Sequence, residues 1–327
     1  MTRALPLSLG AVATLLFAAS LAIGPAGVAP GRALAALFRE DGLLTLVMRE
    51  IRLPRALLAV MVGASLGLAG AAMQGYLRNP LAEPGLIGVS GAAALGAVIA
   101  IHTGLAAAFT LGLPLLALLG AAIGVALILL LAGPRGSSLA LILAGIAISA
   151  LAGALTSLAL NLSPNPFAVS EIVFWMMGSL QDRSMTHVWI AAPFMVLGWA
   201  LLLSLGRSLD ALTLGEDAAQ AMGVNLGRLR LALVFGTAAA VGAATAVAGA
   251  IGFVGLVVPH LLRPLVGARP SLLLPASALG GAVMVLAADI AVRLILPDRD
   301  LKLGVLMALV GAPLFLHLIY KTRKESA

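Results

Sequence analysis

The sequence predicts an all-α polytopic membrane protein, and three observations carry that prediction. Its 327 residues are 61% hydrophobic and only 10% charged, with a mean hydropathy of +1.12, whereas soluble domains are about 45–50% apolar and about 25% charged. Apolar windows recur along the whole chain at lengths that suit a bilayer crossing, for which about 20 residues are needed. Glycine is abundant at 37 residues while aromatics make up 4%, so the helices carry small-residue faces on which backbones approach closely in lipid. Residues 1–327 are read as a single transmembrane domain with no room for a soluble catalytic one.

The first window, Leu5 to Ile23, follows Arg3 but exceeds the roughly 7–15 residues of a signal h-region, and is read as a span. Further windows at 55–75, 86–108, 111–132, 139–160, 188–206, 229–250, 254–267, 271–296 and 303–320 bring the count to about ten. The window at 254–267 is short and flanked by Gly252, Gly255, Pro259 and Pro264, which suits a half-length helix buried in protein. An even number of spans puts both termini on one side, and Lys321-Thr322-Arg323-Lys324 makes that side the cytoplasm. Arg78, Arg135, Arg207, Arg228, Arg230, Arg263 and Arg269 then lie inside. Arg32, Arg39, Arg49, Arg52, Arg55, Arg183, Arg293 and Arg299 lie outside. Either Glu40, Asp41, Glu50, Asp182, Asp298 and Asp300 neutralise the outer set as solvated pairs, or it forms a basic rim that receives an acidic partner.

A shift of 179 residues superposes Ala69-Gly70-Ala71 on Ala248-Gly249-Ala250, Leu77 on Leu256, Pro80 on Pro259 and Gly88 on Gly267. The repeat halves run approximately 52–160 and 228–320, and an odd number of spans between them inverts one relative to the other. Inverted repeats with Gly/Pro-interrupted helices at matching places are characteristic of transporters.

Several chemistries are excluded. Without cysteine there are no disulfides or thiolate sites, and His102, His187, His260 and His317 are too scattered to form a metal cluster. None of the three lysines sits in a phosphate-cradling Gly-Lys-Ser/Thr loop, so any ATP must bind another chain. Nothing points to nucleic acid. Between the sixth and seventh spans, Leu214, Gly215, Glu216, Asp217, Gln220 and Gly223 outline a short helix over about 214–224. Gly215 opens it, the acids sit at its positive end, and Gly223 closes it.

The runs Arg52-Leu53-Pro54-Arg55, Met73-Gln74, Asn79-Pro80-Leu81-Ala82-Glu83-Pro84-Gly85-Leu86-Ile87-Gly88-Val89-Ser90-Gly91, Trp175-Met176-Met177-Gly178, Gly252-Phe253-Val254-Gly255-Leu256-Val257-Val258-Pro259-His260 and Gly311-Ala312-Pro313 closely resemble the permease subunits of ATP-driven importers for iron–siderophores, haem and vitamin B12. The resemblance covers nearly the whole chain. It implies the architecture of a type II ATP-binding-cassette importer in the cell inner membrane. Two copies of the permease would work with two ATP-binding subunits, which hold ATP and Mg, and with a periplasmic substrate-binding protein. It further implies that the 214–224 helix couples to the ATPase, that Arg52, Arg55 and Arg293 face the binding protein, and that Ser137 and Ser138 stand at a cytoplasmic gate. Ser149, Thr156, Ser157 and Met307 would border the pathway. The last outer turn departs from the family pattern, since Asp300-Leu301-Lys302-Leu303-Gly304 lacks the usual proline. No cofactor of the chain's own is implied.

Two rival functions have a residue basis. Gly88-Val89-Ser90-Gly91 matches the Gly-x-Ser-Gly of intramembrane serine proteases, which need a histidine partner. Asp289 could carry protons in an ion-coupled secondary transporter, although Arg293, one helical turn on, is placed to pair with it.

Overall fold

The computed structural model describes residues 4–24, 29–39, 41–133, 137–296 and 301–325, so Glu40, Arg135, Asp298, Arg299 and Asp300 lie outside the described residues. A first apolar helix, α1 (Ala4–Ala22), is followed by two short outer helices, α2 (Pro30–Ala35) and α3 (Leu43–Leu46). A π-helical turn over Val47–Arg52 then leads without a break into α4 (Leu53–Tyr76), where Pro54 occupies a first-turn position that needs no N–H donor. After α4 the chain makes a 3₁₀ turn at Pro84–Ile87, closed by left-handed Gly88 (φ 77°). It continues as α5 (Val89–His102), α6 (Leu105–Ala108), α7 (Gly112–Ala132), α8 (Ser138–Asn161) and α9 (Pro166–Met176). Next come α10 (Met185–Ser204), α11 (Gly206–Leu212) and α12 (Glu216–Ala221), then α13 (Leu226–Ala248) and α14 (Val254–Leu262). A second 3₁₀ turn, Arg263–Val266, ends at left-handed Gly267 (φ 62°) and precedes α15 (Pro270–Ile295) and α16 (Leu303–Glu325).

Seven of these helical runs are long and apolar enough to cross a membrane, and four shorter apolar helices accompany them. Three of the shorter ones, α5, α14 and α16, correspond to windows read from the sequence. The fourth, α9, falls where no window was read. The window at 86–108 contracts to 14 helical residues because the Pro84–Gly88 turn precedes it and left-handed Gly104 (φ 74°) follows it. The described residues contain no strand.

The two 3₁₀ turns stand 179 residues apart, the offset of the sequence repeat; α4 precedes the first, α13 and the short α14 precede the second, and α5 and α15 follow them. Tyr76, at the end of α4, lies within electrostatic reach of Arg230 at the start of α13. Further back along α4, Leu66 shares a cavity with Val241 and Thr245 of α13. The two helices therefore run antiparallel.

Burial places α4 and α13 at the centre: 78% and 72% of their spanning windows are buried, against 33% for α7 and for α8 and 11% for α1. What lets α4 sit there is its glycine row. A Cβ on Gly63 would collide with the Gly281 carbonyl of α15 and one on Gly281 with the Gly63 carbonyl, while Gly67 abuts Ser277 and Gly70 abuts Gly255 of α14. Lipid tails offer no hydrophobic drive between helices, so this close backbone contact supplies the association through dispersion. Gly281→Val should therefore lower stability by about 1–3 kcal/mol, the usual penalty of overpacking. Gly153→Ala, where a Cβ meets nothing within 4 Å, should leave it unchanged, as thermal unfolding in detergent would read.

Candidate functional site

At one end of the bundle, α12 stands between Gly215 (φ 108°) and Gly223 (φ 86°), both in conformations that ordinary residues rarely adopt. Glu216 and Asp217 occupy its first turn. Glu216, Asp217 and Gln220 are exposed, as are the flanking Leu214 (68%) and Met222 (63%), whereas Ala219 is fully buried against the body. The connections on either side are polar and specific. On the upstream side, Asp210 of α11 accepts the Ser271 N–H at the start of α15 at 2.8 Å. Downstream, Asn225 accepts the Arg228 N–H at 2.9 Å and so caps α13. Arg230, one turn into α13, donates to the Gly133 carbonyl at the end of α7 at 2.9 Å. Ser137 lies a few residues beyond Gly133; its hydroxyl caps α8 by accepting the Ala140 N–H, and Ser138 opens that helix.

The end of α1, the start of α4 and the last turns of α15 meet in an arginine node. The carboxylate of Asp289 is fully buried and takes Arg55 at 2.8 Å on one oxygen and Arg293 at 3.0 Å on the other. Arg293 also donates to the Ser20 and Ile23 carbonyls and to the Ser20 hydroxyl. Arg52 donates to the Leu21 and Ala22 carbonyls. The last carbonyls of a helix lack intrahelical partners and carry its negative end, so two guanidiniums cap α1. This corrects the reading of Arg52 as part of an exposed rim: only 5% of it is exposed, because its donors are committed to α1. Arg55 and Arg293 keep a partly open edge, with 17% and 12% of their side chains exposed. Among the outer loop residues, Arg32 bonds Asp41 at 2.8 Å and holds that carboxyl below the usual range, as the solvated-pair reading expects. Such an exposed pair contributes little stability.

The residues read as bordering the pathway separate. Ser157 lies on the exposed face of α8, Thr156 is 6% exposed, and Ser149 packs against Gly88 and Gly91. Met307, at 2% exposure, belongs to the buried core of the chain and not to an open wall. It shares a face of α16 with Gly304 and Gly311. Gly304 is pressed against the Met177 and Ala250 carbonyls, and its N–H donates to the Gly178 carbonyl at 3.2 Å. Gly178 and Gly249, both left-handed, interlock beside it, which is the physical reason that the Trp175-Met176-Met177-Gly178 run ends in glycine.

Where the two halves break, the side chain of Glu83 accepts the Phe253 N–H at 3.2 Å, and Phe253 itself is left-handed (φ 68°). Sequence reasoning missed this contact because its partners are 170 residues apart; the only available signal was an ionisable residue inside an apolar stretch. Ser90 lines the same cavity, of about 160 Å³, among Glu83, Thr245 and backbone, with no histidine in its wall. A hydrolytic pair is therefore absent from it. Asp289, the other rival's candidate, is held between the Arg55 and Arg293 guanidiniums. A larger hollow of about 370 Å³ between α5, α7 and α8 is lined by Ala, Gly, Leu and Ile only and carries no chemistry. No group of His, Asp and Glu among the described residues is placed to hold a metal ion.

With this geometry in place, comparison with known proteins decides the family: a model of the FecCD transport family matches residues 12–321. The chain belongs to the FecCD transport family. Among its relatives, the Fe(3+)-citrate import system permease protein YfmE of Bacillus subtilis (strain 168) is 37% identical over 320 residues, covering 98% of this chain and 96% of that one. The Fe(3+) dicitrate transport system permease protein FecD of Escherichia coli (strain K12) is 39% identical over 277 residues, 85% of this chain and 86% of that one. The vitamin B12 import system permease protein BtuC of Salmonella paratyphi A is 38% identical over 319 residues, 97% and 95%. A solved structure titled as an inward-facing conformation of a putative metal-chelate type ABC transporter matches with a TM-score of 0.87 and 36% identity, over 98% of this chain and 99% of that one.

For this FecCD chain the arginine node gives a direct test. Asp289→Asn should destabilise the protein by about 3–5 kcal/mol, the cost of leaving buried charge uncompensated. Arg32→Gln should shift the unfolding midpoint far less. Chemical unfolding of the two variants against the parent checks both.

Proposed function

We propose that this chain is the membrane-spanning permease subunit of an ATP-driven importer in the cell inner membrane. It works as two copies with two ATP-binding subunits on the cytoplasmic side and a periplasmic substrate-binding protein outside. Its cargo is a metal chelate, an iron complex of the siderophore or ferric citrate kind ahead of haem or cobalamin, in keeping with the named relatives. ATP and Mg belong to the partner subunit; this chain performs no chemistry of its own.

The observation that carries this reading is α12. Two acids at its first turn, two exposed apolar side chains flanking it and a buried Ala219 keyed into the body make it a handle, presented to a partner and anchored behind. Two docked ATPases closing on nucleotide would displace the handle, a two-state transition that nucleotide biases. The movement has defined routes onward: through Asp210 to the start of α15, and through Asn225 and Arg230 to α13 and the end of α7, next to Ser137 and Ser138. Outside, two guanidiniums share a single buried carboxylate, an excess of positive charge that suits acidic residues of a binding protein reaching the open edges of Arg55 and Arg293. Ser157 and the open Gly153 leave the exposed face of α8 weakly polar, and a bulky chelate would find little there to hold it.

Glu216→Lys combined with Asp217→Lys should cut ATP-driven uptake of ferric citrate into proteoliposomes by roughly tenfold or more through charge repulsion at the docking surface. The unfolding midpoint of the permease should stay within about 0.5 kcal/mol of the parent, because both positions are exposed. Uptake by vesicles holding this polypeptide without an ATPase partner would overturn the proposal.

A further inference from the structure

The meeting of the two chain breaks has a construction that the importer reading does not account for. Pro84 restricts the preceding residue to extended backbone, and Glu83 is extended (φ −121°, ψ 146°), fixing where its side chain starts. The Pro84 ring presses on Gly255, where a Cβ would lie 2.7 Å from the proline Cδ. Two residues before Gly255, Phe253 gives its N–H to the Glu83 carboxyl. Phe253 opens α14 in the left-handed region, which a residue with a bulky side chain leaves unless its surroundings hold it there. Its ring covers Gly311 so closely that a Cβ there would strike the ring, and Gly311 lies two helical turns from Gly304 on the buried face of α16. A strained residue thus stands between a carboxyl of the first half and a notch on the last helix.

Beside that carboxyl is the cavity of about 160 Å³, bounded by Ser90 of α5 and Thr245 of α13. It leaves the carboxyl room to turn and offers two hydroxyls as other donors. We infer that Glu83 is a positioning residue for the transport cycle, the pin of a two-position latch. In the position seen here it holds Phe253 strained and α16 seated. In the other it bonds the Ser90 and Thr245 hydroxyls, Phe253 relaxes, and α14 and α16 move relative to one another. Packed elements of this kind have discrete arrangements and do not deform continuously.

The inference rests on the importer reading, and its test separates the two. The chain contains no cysteine, so spin labels attach only at Leu261→Cys on α14 and Leu309→Cys on α16, both exposed positions. Distances between them are measured by electron paramagnetic resonance in the permease assembled with its ATPase partner, without nucleotide and with ATP and vanadate. Gly311→Ala, whose Cβ would strike the Phe253 ring in the position seen here, should shift the nucleotide-free population toward the second distance by roughly tenfold. Ser90→Ala with Thr245→Val should shift it the opposite way, which loss of folding stability alone would not do, and should have no further effect once Glu83→Ala has removed the pin from both positions. Glu83→Gln, which keeps an acceptor oxygen, should stay near the parent. Unchanged distance distributions in Gly311→Ala, shifts of the same sign in Gly311→Ala and in Ser90→Ala with Thr245→Val, or a Ser90/Thr245 effect that survives Glu83→Ala, overturn the latch. A parent complex whose distances ignore nucleotide overturns the importer reading and leaves the comparison without nucleotide to decide the latch.

Discussion

A chain that stops and restarts its helices inside a bilayer must satisfy every freed backbone group with protein, since no water is available there. This one does so with side chains and backbone from parts of the chain remote in sequence. The open carbonyls at the end of α1 take Arg52 and Arg293, the Phe253 N–H takes Glu83, and the Leu256 carbonyl takes the amide of Gln74, whose own oxygen accepts Arg263 at 2.8 Å. The Ser179 and Gly304 N–H groups find the Ala248 and Gly178 carbonyls. Each of these bonds joins parts of the chain remote in sequence, so the places where helices break are also places where distant segments are tied together.

The same constraint explains why polar residues are so few and so placed. Eleven polar or charged residues among those described are buried, and the ones with bonds named above sit at helix ends or breaks. Asp289 is an exception of a useful kind. It lies within a continuous helix and joins α15 to α4 at their outer ends, where the glycine row has already brought the two backbones together. Close packing along the helices and an ion pair at their tips join α4 and α15 into one packed unit.

How much of this could be read from residues alone follows from whether a feature is local. The spans, the half-length character of 254–267 and the α12 handle were legible because hydropathy windows and bracketing glycines are local signals. The 179-residue offset was legible because Gly and Pro mark the turns, and the 3₁₀ turns fall on it. Arg293 was paired with Asp289 from helical spacing, but Arg55 was not, since its contact spans 234 residues. The inward commitment of Arg52 and the burial of Met307 depend on which face α1 and α16 present, and periodicity is blind to this in helices apolar on every side.

The arrangement also separates force from selectivity. The links from α12 run through main-chain groups: the Ser271 N–H, the Arg228 N–H and the Gly133 carbonyl. Main-chain contacts transmit displacement whatever the cargo. The exposed face of α8 offers Ser157 and open Gly153 and no buried charge, which gives a bulky chelate little to recognise. In the proposed importer, specificity then falls to the outer partner that would deliver the cargo. A permease built this way can serve different chelates across its family without changing the machinery that moves them, and relatives named for ferric citrate and for vitamin B12 stand at nearly equal identity to this chain.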